Sequence, residues 1–178
     1  VVAFPGPIVV AADVPPEWVA RQCPDGDLSA PLNPPFLHAL ERRLARRVNS
    51  VDMLMLADPE PASAAVEHVG GLRAVDDADH PRVRRARRYR DDVRVWEADG
   101  AVLVIGRGLC GRWEAAVEVP AARRDAGQGR RLAAAARALA PERRPIWAQV
   151  APGNAASVRA FLAAGYRPVG AEALLVPV

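Results

Sequence analysis

A chain of 178 residues is long enough for one well-buried domain with a small appendage. With 51% apolar and 25% charged residues it falls among ordinary soluble globular proteins, and a formal net charge of +3 favours anionic partners without naming one. All 24 basic residues are arginine, which excludes lysine Schiff-base chemistry and a lysine-bearing Walker A loop while supplying planar forks for phosphate or carboxylate.

The opening "VVAFPGPIVVAADV" is apolar but short, has no basic start and carries two prolines, so it reads as a strand rather than a signal or membrane segment. The chain does not begin with Met, and its natural N-terminus is expected upstream. "PIVVAADVPPEW" suggests a strand broken by Pro15 and Pro16. "PPFLHALERRLARRV" has helical spacing, with Phe36, Leu40, Leu44 and Val48 on one stripe, and "VDMLMLAD" reads as a short buried strand. The most linker-like composition, "PEPASAA", follows at 59–65. The expected organisation is therefore an N-terminal α/β segment at 1–58, a linker at 59–68 and a main domain at 69–178.

In the main domain "VGGLRAV" suggests a strand and "HPRVRRARRYR" a helix, followed by two strands in "VRVWEADGAVLVIGRG" around the tight-turn pair Asp99-Gly100. "RWEAAVEV" is a third strand. A helix is expected from about 129 to 140, stopped by Pro141, then the strand "PIWAQVA", the helix "NAASVRAFLAAG" ended by Gly165, and one or two closing strands. The order β-α-β-β-β-α-β-α-β indicates a mixed sheet with helices on its faces, an α+β (mixed α/β) class. Cys23 and Cys110 form no ligand or disulfide pattern, so a reducing, cytoplasmic setting is expected. His38, His68 and His80 make no metal-binding spacing, and no metal is expected. Trp18, Trp96, Trp113 and Trp147 are expected in the core rather than as stacking platforms.

The stretch "RRDAGQGRR" carries the strongest chemical signal. A helix start exposes unpaired backbone N–H groups and the positive end of the macrodipole, and glycines let the backbone approach an anion closely. Here Arg124-x-x-Gly127-x-Gly129 lies between a strand and a helix, and Arg124, Arg130 and Arg131 could add charge-assisted contacts. A dinucleotide fingerprint would need a third glycine where Leu132 stands. By itself the loop is equally a glycine turn with solvated arginines. Downstream, Asn154-x-x-Ser157-x-x-x-Phe161-x-x-x-Gly165-Tyr166 is by itself a capped helix that packs Val158 and Phe161 inward.

Taken in this order, with one helix and one strand between them, the two segments resemble the GNAT superfamily of acyl-CoA-dependent N-acyltransferases. The resemblance covers residues from about 69 to 178. It implies a GNAT-like mixed, splayed sheet flanked by helices, acetyl-CoA or another acyl-CoA as cosubstrate, and a primary amine, small or peptide-borne, as acceptor. The loop residues Arg124, Asp125, Ala126, Gly127, Gln128, Gly129 and Arg130 would hold the pyrophosphate. Asn154, Ser157 and Phe161 would line the pantetheine arm. The thioester would enter between the strands at 113–119 and 146–150, against Val117 and Val119.

A general base is expected, and strand alternation puts Glu114 and Glu118 on one face, with Glu118 nearer the loop. The alternative is that both are solvated or paired with Arg107 and Arg112. The position where many members of the family carry a tyrosine acid falls at Phe161, which has no proton to give. Tyr166 matches a closing aromatic that usually packs. Six arginines in nine residues, Arg82 to Arg90, form either a solvated helix face or a surface for an anionic acceptor, with Val83, Ala86 and Tyr89 or Arg90 turned inward. A non-catalytic acyl-CoA-binding module is a second reading. A nucleic-acid binder is a third, for which no recognised motif is present. For residues 1–60 three roles stay open: a degenerate half-domain, a lid or the arm of a homodimer.

Overall fold

A computed structural model describes residues 1–23, 26–76 and 79–178, which form two compact units. The first contains Val1–Leu54, Ala151–Gly153 and Val169–Val178, and the second Met55–Val150 and Asn154–Pro168. Nine strands and six α-helices are present among these residues, a mixed α+β fold.

The first unit carries β1 (Val2–Ala3), β2 (Ile8–Val9), α1 (Pro16–Gln22), α2 (Pro34–Leu44), most of β3 (Arg46–Ala57) and most of β9 (Arg167–Pro177). β1 pairs antiparallel with both β2 and β9. Pro16 does more than break a strand: it occupies the first turn of α1, where its missing N–H costs nothing and its φ is already helical. Phe36, Leu37 and Leu40 of α2 bury their side chains with Val1 and Ala173, and Trp18 of α1 packs against Phe36 with ring centroids 6.1 Å apart. The expected stripe is one residue too long. α2 ends at Leu44 because Ala45 turns left-handed (φ 50) and the Glu41 carboxylate accepts the Val48 N–H at 2.6 Å. Val48 still joins this core, but from β3.

In the second unit the expected order of elements is found. β4 (Arg73–Ala74), α4 (Pro81–Tyr89), β5 (Asp91–Ala98), β6 (Ala101–Arg107), β7 (Trp113–Glu118), α5 (Gln128–Ala138), β8 (Ile146–Val150) and α6 (Ala155–Ala163) run in sequence; the one closing strand, β9, lies mostly in the first unit. Asp99 (φ 51) and Gly100 (φ 76) both take left-handed conformations, the pattern of a type I′ hairpin between β5 and β6. Six consecutive residues of β6 are buried, which a strand achieves only when both its faces are covered. Val102 and Val104 meet Val83 and Ala86 of α4, and by alternation Leu103 and Ile105 face the other way, where α5 lies against β6 and β7. At the end of α4 it is Arg90, not Tyr89, that turns inward.

Residues 59–68, expected as a linker, contain the short helix α3 (Ala64–His68), which packs on α5. Polar bonds hold this segment: the Glu60 N–H donates to Arg137 O at 3.1 Å, and the Glu60 carboxylate meets Arg137 at 2.7 Å and His68 at 2.6 Å.

The strands of this unit depend on one buried carboxylate. Glu114, 4% exposed at its side chain, lies between Arg90 Nε at 2.9 Å and Arg112 Nε at 2.6 Å, and the Arg112 guanidinium stacks over Trp147 of β8. Gly108 makes room for it, since a Cβ there would stand 2.6 Å from the carboxylate carbon. Removing one partner of such a cluster leaves charge buried without compensation, which costs about 3–5 kcal/mol. Glu114→Ala is therefore expected to lower stability by about that amount in urea unfolding. Gly108→Ala, which crowds a carboxylate held on both sides, should lose about 1–3 kcal/mol.

Candidate functional site

β7 and β8 run parallel but meet in register at one position, Glu114 opposite Trp147, whereas β6 and β7 stay in register over six residues. Past that pair the two strands diverge. A cavity of about 540 Å³ lies at the divergent end of β7, where Val117, Glu118 and Val119 form one wall, the loop into α5 another and α6 a third.

The loop is shaped by backbone conformation rather than by side-chain bulk. Asp125 (φ 63) and Gly127 (φ 74) are both left-handed, and Gly127 is the residue that caps α5. A side chain at Gly127 would be strained by its φ, whereas a Cβ at Gly129 would find ordinary contacts with Ala160 at 3.7 Å and Val119 at 3.8 Å. Two arginines brace the loop: Arg124 Nε donates to Val119 O at 3.4 Å and Arg131 to Ala126 O at 3.1 Å. The first turn of α5 has no cap from a side chain, so its leading N–H groups are left for an external acceptor.

All of the expected cofactor-side residues line this cavity except Ala126. Gln128 contributes differently from the expectation, whereas Asn154 caps its helix as expected and still lines the cavity. The Gln128 side chain is buried and donates to Ala98 O at 3.0 Å, tying α5 to the β5–β6 hairpin, so it offers a ligand mainly backbone. Asn154 accepts the Ser157 N–H at 3.1 Å and caps α6. Arg82, the first arginine of the run expected as a solvated face or a surface for an anionic acceptor, also lines the cavity, as do Arg123 and Arg159, which no motif marks. Arg159 was legible in principle, because it stands between Ala156, Ala160 and Ala163 on the helix face they share.

The two candidate bases separate completely. Glu114 is enclosed by Arg90 and Arg112 and does not line the cavity. Glu118 does, and its Oε2 accepts from Arg82 Nε at 2.7 Å, the side chains being 40% and 37% exposed. That hydrogen bond, assisted by the charges of Arg82, His80 and Arg124, holds the Glu118 carboxyl below the usual range against a smaller opposing effect of burial. Phe161 also lines the cavity. Its ring meets Tyr166 edge-on, centroids 4.9 Å apart at 89°, and Tyr166 is 3% exposed with its hydroxyl buried and without a hydrogen-bond partner. Burial drives the phenol far above its ordinary value, and it is not a cavity residue.

Among the described residues no helix is long and apolar enough to cross a membrane, and no group of His, Cys, Asp or Glu could hold a metal ion. Arg84, Arg85 and Arg88 of α4 remain solvent-facing; Arg85 and Arg88 both approach the exposed Tyr89 ring, at 5.7 and 5.4 Å.

Removing the Arg82 charge should let the Glu118 carboxyl rise towards its ordinary value. In Arg82→Leu, the carboxyl resonance of Glu118 followed by ¹³C NMR should titrate at higher pH than in the unchanged protein. The linked stability has a definite sign. A depressed folded-state value means that the pair contributes fully above the usual carboxylate range and is lost as pH falls through the folded-state value. Exposure of both groups keeps that contribution small.

No protein-family profile matches this sequence, and no curated protein matches it. Solved structures are similar to it at a distance. A functionally unknown conserved protein from Staphylococcus epidermidis ATCC 12228 aligns with 15% identity and a TM-score of 0.48, over 78% of this chain and 65% of that one. A GCN5-related N-acetyltransferase from Kribbella flavida aligns with 17% identity and a TM-score of 0.43, over 78% of this chain and 62% of that one. This chain thus spans less than two thirds of the length of either.

Proposed function

We propose that the protein is an N-acyltransferase that moves an acetyl or other acyl group from acyl-CoA to an amine, as the sequence resemblance to the GNAT superfamily implies. The observation that carries this reading is the cavity between the divergent end of β7, the glycine loop and α6, lined by residues of both motif segments. A parallel strand pair that parts after one register position leaves backbone N–H and C=O groups without ladder partners. An extended amide-bearing chain such as pantetheine can satisfy them as an added strand does. The leading N–H groups of α5 suit a pyrophosphate, and Arg123, Arg124, Arg130 and Arg159 supply charge for it and for a further phosphate.

In this reading Glu118 takes the proton from the acceptor amine. A carboxylate held low is a weak base, so it acts best on an amine already positioned against it. Glu114 has no part in the chemistry, because both its oxygens are engaged by arginines. Phe161 favours slow transfer or acyl-CoA binding without turnover, and the assay below separates these.

Calorimetric titration with CoA tests the cradle. Gly129→Ala should fold and bind, since its Cβ meets only ordinary contacts, while Gly129→Val should fold and lose CoA affinity by about tenfold or more as the branched side chain fills the approach to the helix start. Unchanged affinity in folded Gly129→Val overturns the cradle.

Thiol release from acetyl-CoA against an amine panel tests transfer. Phe161→Tyr places a phenol on the cavity wall, and general-acid assistance is worth about a hundredfold when well aligned, so turnover should rise. CoA binding with no turnover of any amine, in either form, would instead establish the binding module.

A further inference from the structure

The acyl-transfer reading leaves the acceptor undefined, and the cavity wall carries a feature that selects one class. Arg82 enters from the first turn of α4 and Glu118 from the last residue of β7. Their contact uses one atom of each, Arg82 Nε and Glu118 Oε2, at 2.7 Å. Among the described residues, the terminal Nη1/Nη2 fork of Arg82 and the second oxygen of Glu118 make no other hydrogen bond. A half-exposed ion pair adds little to stability. On a cavity wall it is also a fixed positive fork beside a fixed negative oxygen, with donors and an acceptor still unused.

A ligand that answers both carries a carboxylate and an ammonium group close together, as on one carbon atom. We propose that the acceptor is a free α-amino acid, its carboxylate taken by the Arg82 fork and its ammonium group by Glu118 Oε1. The fork geometry of guanidinium suits a carboxylate in two parallel hydrogen bonds. The surroundings sharpen the choice. Of the five arginines that line the cavity, four face the phosphates in the acyl-transfer reading, which leaves Arg82 beside Glu118: an amine without a carboxylate leaves the Arg82 fork unanswered, while a ligand with its own carboxylate fills it.

This assignment rests on the acyl-transfer reading and completes its chemistry. The Glu118 carboxylate accepts one proton from the bound ammonium group. The freed nitrogen pair attacks the thioester carbonyl carbon, and the C–S bond breaks with its electrons on sulfur. The second nitrogen proton passes through solvent to the thiolate, giving an N-acyl amino acid and CoA thiol, and Glu118 returns its proton to solvent.

The experiment measures thiol release from acetyl-CoA with each proteinogenic α-amino acid, its methyl ester, spermidine and a short peptide with a free amino terminus, alongside calorimetry with CoA. At least one free amino acid should be consumed, and its methyl ester should lose about tenfold or more in kcat/KM, the scale of a lost charged hydrogen bond. Arg82→Gln should raise KM for the free acid by a similar factor and leave KM for the ester nearly unchanged, a split that mere loss of fold would not produce. Esters used as well as acids, equal losses for acid and ester in Arg82→Gln, or turnover confined to spermidine or the peptide would each overturn the proposal while leaving acyl transfer standing. CoA bound with no amino acid consumed, or bound calorimetrically to the CoA complex, overturns it as well. Absence of CoA binding removes the acyl-transfer reading itself, and the proposal with it.

Discussion

The buried Glu114 carboxylate is the constraint on which the second unit depends. It sits at the one register position shared by β7 and β8 and joins Arg90, just past the end of α4, to Arg112, which leads into β7 and stacks on Trp147 of β8. Charge removed from water has to be neutralised locally, because the alternative costs several kcal/mol per ion. The cluster therefore fixes α4, β7 and β8 relative to one another at this end of the strands. Burial draws Arg90 below its ordinary basicity, and the neighbouring carboxylate works against that shift. With one end fixed, divergence further along β7 opens a space whose walls are already determined: hairpin-anchored α5 on one side and capped α6 on the other.

Glu114 and Glu118 show how position along a strand decides the use of a side chain. They are four residues apart and share a face by alternation. Glu114 lies where β7 is paired on both edges, beneath a glycine that admits its carboxylate, and it meets two nearly buried guanidinium groups. Glu118 lies at the divergent end, with one arginine and solvent. Identical chemistry thus gives a structural clamp in one case and an accessible ionised group in the other. Glu118 is the one of the two in a position to meet a ligand in the cavity.

Much of this was legible in the sequence wherever periodicity and turn chemistry agree. The Asp99-Gly100 hairpin, the buried run of β6 and the helix after Gly127 follow from local preferences that tertiary packing did not override. The errors have local causes too. Val48 fits a helical stripe, yet Glu41 captures its N–H and the chain turns at Ala45. Pro15 and Pro16 read as a break because proline signals both a stop and a helix start. The linker-like 59–68 is tied to α5 by polar bonds from Glu60 to Arg137, and composition does not register such bonds. In the candidate site the glycines and the helix face were visible. The partners Arg90 and Arg82 were not, because each reaches β7 from a helix at least 24 residues away.

Phe161 remains the residue at which the proposed chemistry and the packing meet. Tyr166 cannot take over as an acid from where it lies: its hydroxyl is buried without a partner, burial stabilises its protonated form, and the Phe161 ring rather than the phenol lines the cavity. Without that acid, acyl transfer from a thioester is slowed, but by less than transfer from an ester or an amide would be. A thiol ionises near pH 8.5, so a thiolate leaves without prior protonation at far smaller cost than an alkoxide or an amide nitrogen. In the proposed reaction the demand on the protein then shifts from the leaving group to the nucleophile, which would be held and deprotonated by a carboxylate whose basicity Arg82 has lowered. Such a site gains most from an acceptor that brings its own counter-charge. In the proposed complex a ligand carboxylate on Arg82 offsets part of that arginine's field at Glu118, against the opposite pull of the ligand's own ammonium group. In the proposed reaction the Arg82–Glu118 pair thus both seats the acceptor and sets the basicity of the carboxylate that meets it.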